Sequence, residues 1–213
     1  MLDALLGAQR LGYLGPSPVE SHVEHGLSTA VVLAEALRLG FEESADGAPL
    51  ARVLDLGSGG GVPGLVLATV GLSVEVTLLE ASSVRAEYLR SAVARLAQGH
   101  RTCVIADRAE VAGHKSEFRE RFDAVVARSF GRPAVTAECG GPFVRLGGIL
   151  VVSEPPDAGV EPRWPASDLA VLGLLPEARP TGPFARFQLL RKVGACEPRY
   201  PRRTGIPAKR PLF

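Results

Sequence analysis

A glycine-rich stretch is the part of this sequence best suited to hold a ligand. A short apolar strand candidate, 52–56, carries an acid near its end and runs directly into the turn 57–64, GSGGGVPG. Glycine has no Cβ, so the main chain of such a turn can lie against a ligand that any side chain would displace. A purely structural glycine turn is the alternative. We predict that the ligand is held by Asp55, Gly57, Ser58, Gly59, Gly61 and Gly64.

Two cofactor classes fit a strand, a glycine turn and a helix in this order. The turn satisfies the G-x-G-x-x-G spacing of dinucleotide sites through Gly59, Gly61 and Gly64. Counted from Gly57 at the strand end, however, the third position of that pattern falls on Val62. An acid at Asp55 also suits the charged methionine part of a sulfonium cofactor better than a pyrophosphate. The pattern therefore favours S-adenosylmethionine over NAD, and a methyltransferase over an oxidoreductase.

Further polar residues follow the next two strand candidates. Glu80 ends the strand 74–80, and a carboxylate there can accept hydrogen bonds from both hydroxyls of an adenosine ribose. A solvated strand-end acid is the alternative for Glu80. After the strand 103–106, main-chain groups of Arg108 and Ala109 could contact an adenine edge, although the side chains of Arg108 and Glu110 could simply pair. The predicted cofactor contacts in this region are Glu80, Ala81, Asp107, Arg108 and Ala109.

Strands and helices alternate along the middle of the chain. Strand patterns cover 52–56, 74–80, 103–106, 122–127 and 149–152, and helix patterns cover 62–70, 83–96 and 132–144. This alternation predicts βαβ units and a Rossmann-like α/β fold with a mostly parallel sheet. A late strand at 184–193 adds an antiparallel edge, and one or two helices are expected within 19–39.

Composition narrows the class of protein. A chain of 213 residues with 46% hydrophobic content can form one α/β core. We divide it into an N-terminal helical segment (1–48), the main domain (49–195) and a basic tail (196–213). No apolar run approaches the roughly 18–20 residues of a membrane span, and the first residues do not resemble a secretory signal. Cys103, Cys139 and Cys196 are too far apart for a zinc motif, which predicts no metal site and a cytoplasmic protein.

The net charge of +1 conceals an uneven distribution. Seven acids and two arginines lie in residues 1–50, whereas residues 186–213 hold eight cations and the single acid Glu197. A basic end predicts an anionic partner, most commonly nucleic acid. The alternative is a solvated, partly disordered tail. The prolines of 198–213 predict extended chain there.

Four segments together resemble the RsmG/GidB family. They are 55–68 (DLGSGGGVPGLVLA), 78–93 (LLEASSVRAEYLRSAV), 106–111 (ADRAEV) and 122–130 (FDAVVARSF), and the end 200–213 is similar to the basic end of many members. The resemblance implies a class I methyltransferase fold and S-adenosylmethionine as donor. It also implies methylation of N7 of a guanosine in 16S ribosomal RNA, with that RNA or the ribosomal particle as partner.

The resemblance also implies roles for individual residues. By position, the residues that would surround the cofactor are Gly57, Ser58, Gly59, Gly61, Glu80, Ala109 and Glu110. Arg128 matches the arginine after the fourth strand and is the predicted catalytic residue, beside the methyl group and the incoming base; its guanidinium could contact guanine O6 or a phosphate. An ion pair with Asp107 or Asp123 is the alternative. Other predicted substrate contacts are Ser153, Arg202, Arg203, Lys209 and Arg210. Guanine N7 has no proton to lose, so no strong general base is expected near the motifs.

Three departures from the family concern the substrate side. His25-Gly26-Leu27-Ser28 keeps only the outline of an R-H-x-x-D-S pattern, and residues 153–156, SEPP, replace a lysine-glycine pair. The sequence after Arg128 also differs from the commoner one. Another RNA or a small molecule as substrate therefore stays open, as does a non-catalytic module that only binds the cofactor. His22 and His25 are expected at the surface or as helix caps.

Overall fold

The core of the protein is a single seven-stranded sheet. The computed structural model describes residues 1–40, 50–155 and 163–213. The strands are β1 (Ala51–Leu56), β2 (Val74–Glu80), β3 (Thr102–Ala106), β4 (Phe122–Ala127), β5 (Val144–Glu154), β6 (Leu174–Pro176) and β7 (Arg186–Lys192). Their spatial order is β3-β2-β1-β4-β5-β7-β6, and β7 is antiparallel to both of its neighbours. The predicted Rossmann-like α/β fold with an antiparallel edge is confirmed.

Helices cover both faces of the sheet. They are α1 (Leu2–Arg10), α2 (Val19–Leu37), α3 (Gly64–Thr69), α4 (Ser83–Arg95), α5 (Ala109–Ala112), α6 (Pro133–Gly140), α7 (Ala166–Leu169) and α8 (Ile206–Lys209). Alternate strand residues point to opposite faces, so Val53 joins the hydrophobic cluster beneath α1–α4, and Leu54 joins the cluster on the other face. None of the helices in the described residues is long and apolar enough to cross a membrane.

The strand order reverses direction at β1, which defines where a ligand can bind. From β1 the chain first adds β2 and β3 on one side, then returns to add β4 and β5 on the other. Asp55 pairs with Leu78 of β2 and with Val126 of β4, so the carboxyl ends of these three strands lie level. In open α/β sheets ligands bind in the crevice at this reversal. The glycine turn follows β1 at that point.

The N-terminal helices bring a connecting segment over the glycine turn. The hydroxyl of Tyr88 in α4 donates a hydrogen bond to the carbonyl of Ala4 in α1. Gly26 lets α2 approach α3 closely, because a Cβ there would lie 2.6 Å from Cβ of Val66. Near the end of α1, the Gln9 side-chain amide donates to the carbonyl oxygens of Gly15 and Ser17 in the connection to α2, both at 2.7 Å. Residues 11–18, the cover segment, are thereby fixed in place.

The C-terminal segment is folded onto the domain, which corrects the prediction of extended chain. The Arg202 guanidinium forms two hydrogen bonds, of 2.8 and 2.6 Å, with the carboxylate of Glu138, which is wholly buried in α6. Gly205, at φ +79°, begins the one-turn helix α8. Proline suits the first turn of a helix, so the prolines of this segment did not require extended backbone. The Arg119 guanidinium also binds four carbonyls, of Gly113, Tyr200, Cys196 and Glu197.

Several predicted boundaries shift. The helix after the glycine turn spans Gly64–Thr69 rather than 62–70, and the late strand spans Arg186–Lys192 rather than 184–193. The predicted domain boundary at 48/49 and Pro156 of the altered segment lie outside the described residues. The division into three parts stays a prediction.

Candidate active site

A cleft lies over the carboxyl ends of β1, β2 and β4. Its larger lobe, of about 400 Å³, is lined by Tyr13, Leu14, Gly15, Ser17, His22, Gly57, Ser58, Gly59, Gly60, Val62, Glu80, Arg85, Arg128 and Ser129. Its smaller lobe, of about 220 Å³, is lined by Gly57, Leu79, Glu80, Ala81, Arg85, Asp107, Ala109, Ser129 and Phe130. The lobes share Gly57, Glu80, Arg85 and Ser129. The two lobes therefore adjoin one another along these residues.

The glycines of the turn have different structural roles. Gly59 has φ +53° and lines the larger lobe, and a Cβ there would make only van der Waals contacts, with the main-chain oxygens of Tyr13 and Gly57 at 3.6 and 3.8 Å. At Gly61 a Cβ would lie 2.4 Å from Leu65, and at Gly64 it would lie 2.2 Å from Leu78. These two glycines permit tight packing beneath the turn. Neither residue belongs to the described lining of the cleft, so the predicted cofactor contacts at Gly61 and Gly64 stay predictions.

Asp55 lies below the cleft rather than in it. Its side chain is 1% exposed, and its Oδ2 accepts a hydrogen bond of 3.0 Å from the Gly64 N–H at the start of α3. Burial raises the pKa of Asp55 to about 7, although the Gly64 hydrogen bond opposes the shift. The predicted contact with the methionine part of a cofactor is thus corrected: Asp55 braces the turn from beneath.

Glu80 joins the turn to the next strand at the junction of the two lobes. Its Oε2 accepts from the Gly59 N–H at 2.8 Å, and its Oε1 accepts from the Ser82 N–H at 2.9 Å. A carboxylate offers about four acceptor positions, so these two bonds leave capacity for ligand hydroxyls. The side chain is only 6% exposed, and it lines both lobes. This is the position that the ribose prediction requires.

Arg128 reaches the larger lobe and is held by His22 of α2. Nη2 of Arg128 lies 2.7 Å from Nδ1 of His22, and Nε2 of His22 lies 3.2 Å from the Gly15 carbonyl oxygen. A guanidinium can only donate, so Nδ1 must be the acceptor, and Nε2 must carry the proton given to Gly15. Burial keeps the pKa of His22 below its usual value, and the Arg128 charge acts in the same direction. The imidazole is therefore neutral and fully engaged.

This arrangement corrects two expectations. His22 is buried, at 3% exposure, instead of lying at the surface or capping a helix. The alternative ion pairs for Arg128 are also wrong, because Asp107 pairs with Lys115 at 2.9 Å and Asp123 pairs with Arg145 at 2.6 Å.

His25, one turn further along α2, likewise does not serve as a cap. Its ring meets the Phe187 ring edge-on, with centroids 5.7 Å apart, and its Nδ1 is buried without a hydrogen-bond partner in the described structure. Burial lowers the pKa of His25 to about 4, and the charge of Arg128 adds to the shift.

The residues after β3 divide between the cleft and the C-terminal segment. Asp107 and Ala109 line the smaller lobe, and the Arg108 N–H donates to Asp107 Oδ1 at 2.8 Å. Glu110 is turned away, since its Oε1 accepts from the Gly205 N–H at 3.0 Å and from the Arg108 guanidinium at 3.3 Å. The Arg108–Glu110 pairing left open by the sequence is therefore observed, and Glu110 holds the C-terminal segment.

Comparison with known proteins identifies the family. A family profile described as "rRNA small subunit methyltransferase G" matches residues 9–154. This chain belongs to the rRNA small subunit methyltransferase G family. Relatives named "Ribosomal RNA small subunit methyltransferase G" include those of Moorella thermoacetica (35% identity, covering 77% of this chain and 70% of the relative) and Symbiobacterium thermophilum (35%, 92% and 80%). The RsmG/GidB resemblance is confirmed, and the chain is a methyltransferase.

Solved structures share the fold at low identity. A Pyrococcus horikoshii protein, TYW2, in complex with MeSAdo gives a TM-score of 0.53 at 13% identity, covering 84% of this chain and 63% of that one. The [4+2]-cyclase SpnF gives 0.54 at 17% identity, covering 78% and 80%. Because a cyclase shares this architecture, the fold alone does not specify the reaction.

The departures from the rRNA small subunit methyltransferase G pattern after β5 have a structural reason. The carboxylate of Glu154 accepts a hydrogen bond of 2.8 Å from the Trp164 indole and pairs with Arg163. Ser153 pairs with Phe187 within the sheet and does not belong to the described lining of the cleft. The predicted substrate contact at Ser153 is therefore not supported by its position.

Sequence reasoning missed the cover segment. Tyr13, Leu14 and Gly15 line the larger lobe, and the Arg85 guanidinium lies 5.6 Å from the centre of the Tyr13 ring. The only signal in the sequence was Gly60, where a Cβ would lie 2.4 Å from Leu14. That requirement is invisible until the fold brings the two segments together. Within the described ranges, no group of three or more His, Cys, Asp or Glu residues could hold a metal ion.

Proposed function

We propose that this chain transfers the methyl group of S-adenosylmethionine to N7 of a guanosine in 16S ribosomal RNA. Membership of the rRNA small subunit methyltransferase G family supports the RNA substrate. The observation that carries the cofactor assignment is the pairing of an open glycine, Gly59, with Glu80 at the junction of the lobes. An rRNA substrate would place the activity in the cytoplasm.

The residues of the cleft fit this cofactor. Glu80 would hold the ribose hydroxyls, because it keeps acceptor capacity where the two lobes meet. Ala81, Asp107 and Ala109 would contact the adenine in the smaller lobe. Gly57, Ser58 and Gly59 would give the methionine part a bare main chain in the larger lobe. When bound, S-adenosylmethionine supplies an electrophilic methyl group on a sulfonium.

Methylation of N7 requires the protein to orient the guanine and does not require a general base. Guanine N7 already has an acceptor lone pair and carries no proton, so no proton must be removed. Both ring nitrogens of His22 are engaged, which agrees with a site that lacks a free base there. Arg128 gives His22 one of its five N–H donors and can direct others at guanine O6. Holding the base in line with the methyl group would then supply most of the rate enhancement.

Exposed cations on the C-terminal segment support an RNA substrate. Arg203, Lys209 and Arg210 are all exposed, and the segment carrying them is docked against α5 and α6. Cations on a fixed surface suit phosphate contacts, which position a nucleic acid without reading its sequence.

The substrate is tested in cells. N7-methylguanosine would be mapped across small-subunit RNA with the gene intact, deleted and restored. We expect one methylated guanosine to disappear on deletion and return on restoration. An unchanged map rules out this substrate, and methylation of a different RNA would point to the alternative within the same enzyme class.

The cofactor is tested by calorimetry. Gly59→Val should abolish binding of S-adenosylmethionine, because a branched side chain would enter the larger lobe at a residue with positive φ. Gly205→Val is the matched control, since Gly205 also has a positive φ and a Cβ there has no atom within 4 Å. Wild-type affinity in Gly59→Val, or tighter binding of NAD by the wild type, contradicts the assignment. Binding without turnover on any RNA would favour the non-catalytic module.

A further inference from the structure

The tip of the β6–β7 hairpin, residues 181–185, lies at the same edge of the sheet as the cleft. Ala127 of β4 pairs with Val152 of β5, and the next residue of β5, Ser153, pairs with Phe187 of β7. Arg128 is therefore level with Phe187, two strand spacings or about 10 Å away. Because β7 runs antiparallel to β5, the residues before Arg186 project beyond the carboxyl edge, next to the substrate side of the cleft.

The main chain of this tip is held in one conformation. The Phe184 N–H donates a hydrogen bond of 2.8 Å to Oγ of Ser28, a wholly buried residue of α2. Gly182 donates to the Ala185 carbonyl at 2.8 Å, and a Cβ at Gly182 would lie 2.9 Å from Cβ of Ser28. The tip is thus fixed to the same helix that holds Arg128 through His22. About 9 Å of helix axis separates residues 22 and 28.

The side chain of Phe184 is not used by the fold. It is 58% exposed, and it is the one exposed phenylalanine among those that the structure describes. Its neighbour Phe187 is buried and packs against His25, so the hairpin is anchored without Phe184. An exposed aromatic ring on a rigid main chain is suited to contact a partner.

The hairpin that carries this ring also carries positive charge. Arg186 and Arg179 are both exposed in the same hairpin, and the guanidinium of Arg179 is oriented by a hydrogen bond of 2.9 Å to Gln188. Exposed aromatic rings interleaved with positive charge are typical of surfaces that bind single-stranded nucleic acid, where bases stack and phosphates pair. The charge favours this partner over an apolar protein surface.

We propose that Phe184 is a stacking platform for an unpaired nucleotide of the RNA beside the methylated base. This inference rests on the proposed function. A guanosine that enters the cleft must leave its stack, so a neighbouring base also loses a stacking partner. Phe184 replaces that partner with an aromatic face, and the exposed Arg179 of the same hairpin adds positive charge for the RNA backbone.

The test compares Phe184→Ala and Phe184→Trp with the wild-type chain in steady-state methylation of small-subunit RNA. Base–aromatic stacking corresponds to a change of about 5- to 150-fold in affinity. We expect Phe184→Ala to raise KM for RNA by that factor, with little change in kcat or in affinity for S-adenosylmethionine. Phe184→Trp should restore KM. Val193→Ala, which removes another exposed apolar side chain at the opposite end of β7, is the control and should leave KM unchanged.

A second measurement separates this inference from the proposed function. Binding of a short single-stranded RNA oligonucleotide is measured directly for the wild type, Phe184→Ala and Phe184→Trp. A loss of affinity in the alanine variant, together with quenching of the introduced tryptophan by RNA, supports the platform even if the methylated nucleotide is reassigned. Equal affinity of wild type and Phe184→Ala, or an unchanged KM in an active enzyme, overturns it.

Discussion

The C-terminal segment and the cover segment pack on the same sheet but have different roles. The first is bound to the domain by a buried charge pair, whereas the second lines the cleft. The C-terminal segment carries the most concentrated positive charge of the sequence, yet its Arg202 is paired with the buried carboxylate of Glu138. The cover segment at the other end has no conspicuous motif, yet Gly15 positions His22 and thereby Arg128. A charged residue in the sequence therefore shows only that its side chain needs an interaction partner. The fold decides whether that partner is a ligand or another part of the chain.

The difference has an energetic origin. Glu138 is completely buried, so its negative charge requires a cation and hydrogen-bond donors in fixed geometry. Arg202 supplies both from outside the core. The cover segment instead offers uncharged groups, a tyrosine ring and a carbonyl oxygen, which can line a cleft without a large desolvation cost.

The largest effect should come from breaking the anchor of the C-terminal segment. Arg202→Met leaves the Glu138 carboxylate buried without its counter-ion, keeping only the hydrogen bond of 2.9 Å from the main-chain N–H of residue 202, and we expect a loss of about 3–5 kcal/mol in the free energy of unfolding. Urea denaturation would measure it. Arg203→Met, at an exposed neighbour, should change stability by no more than about 0.5 kcal/mol. If both variants lost equally little stability, Arg202 would again be a candidate contact for RNA.

The stability that Asp55 contributes from beneath the cleft should depend on pH. The pKa of Asp55 is raised to about 7 in the folded chain, so the folded state binds the proton more tightly than the unfolded state. The stabilisation from this group is complete below pH ~4 and is lost as pH rises through about 7. Asp55→Asn should remove that loss, making the variant more stable than the wild type by up to about 4 kcal/mol at pH 8.

Unfolding curves of both proteins across pH 4–8 would test this. The difference between Asp55→Asn and wild type should grow steadily with pH. A constant difference would show that the carboxyl of Asp55 keeps the same proton affinity in both states.

Removing the link between the cover segment and Arg128 should reduce catalysis. His22→Ala leaves the guanidinium without its acceptor, and we expect kcat/KM to fall by about 10- to 100-fold, through kcat more than through KM for cofactor. Ser21→Ala, one residue away and exposed, should keep wild-type rates. A normal kcat in His22→Ala would show that Arg128 is positioned without the cover segment.

The smallest effects should come from the exposed cations of the C-terminal segment. Arg203→Met and Lys209→Met should each weaken RNA binding a few-fold and reduce the slope of log affinity against log salt by about 1. Binding titrations at several salt concentrations would measure the slope. An unchanged slope in both variants would mean that the segment only stabilises the fold.

Much of the central sheet could be predicted from the sequence. The strand patterns at 74–80 and 122–127 coincide with β2 and β4, because a buried parallel strand is a short apolar run between breaks. The edge strand β6 was missed, since its three residues are too few to show a period. The short helices α5 and α8 were missed for the same reason.

The candidate site was predictable where its geometry is local. Gly59 and Glu80 follow directly from strand ends and a turn, and the structure places both in the cleft. Asp55 and Glu110 come from the same motifs, yet their carboxylates face the Gly64 and Gly205 N–H groups. A motif specifies where its main chain runs, whereas the direction of a side chain depends on which donors the rest of the chain brings near.

The amino-acid sequence by itself determined the sheet, the bare turn after β1 and the family, because periodicity and the absence of a Cβ act within a few residues. Only the tertiary structure decided which polar groups meet. His22 and Arg128 are 106 residues apart, and Glu138 and Arg202 are 64 apart, yet each pair joins within hydrogen-bonding distance. Burial forces such groups to find partners, and the partner is whichever group the packed helices and strands deliver to that place.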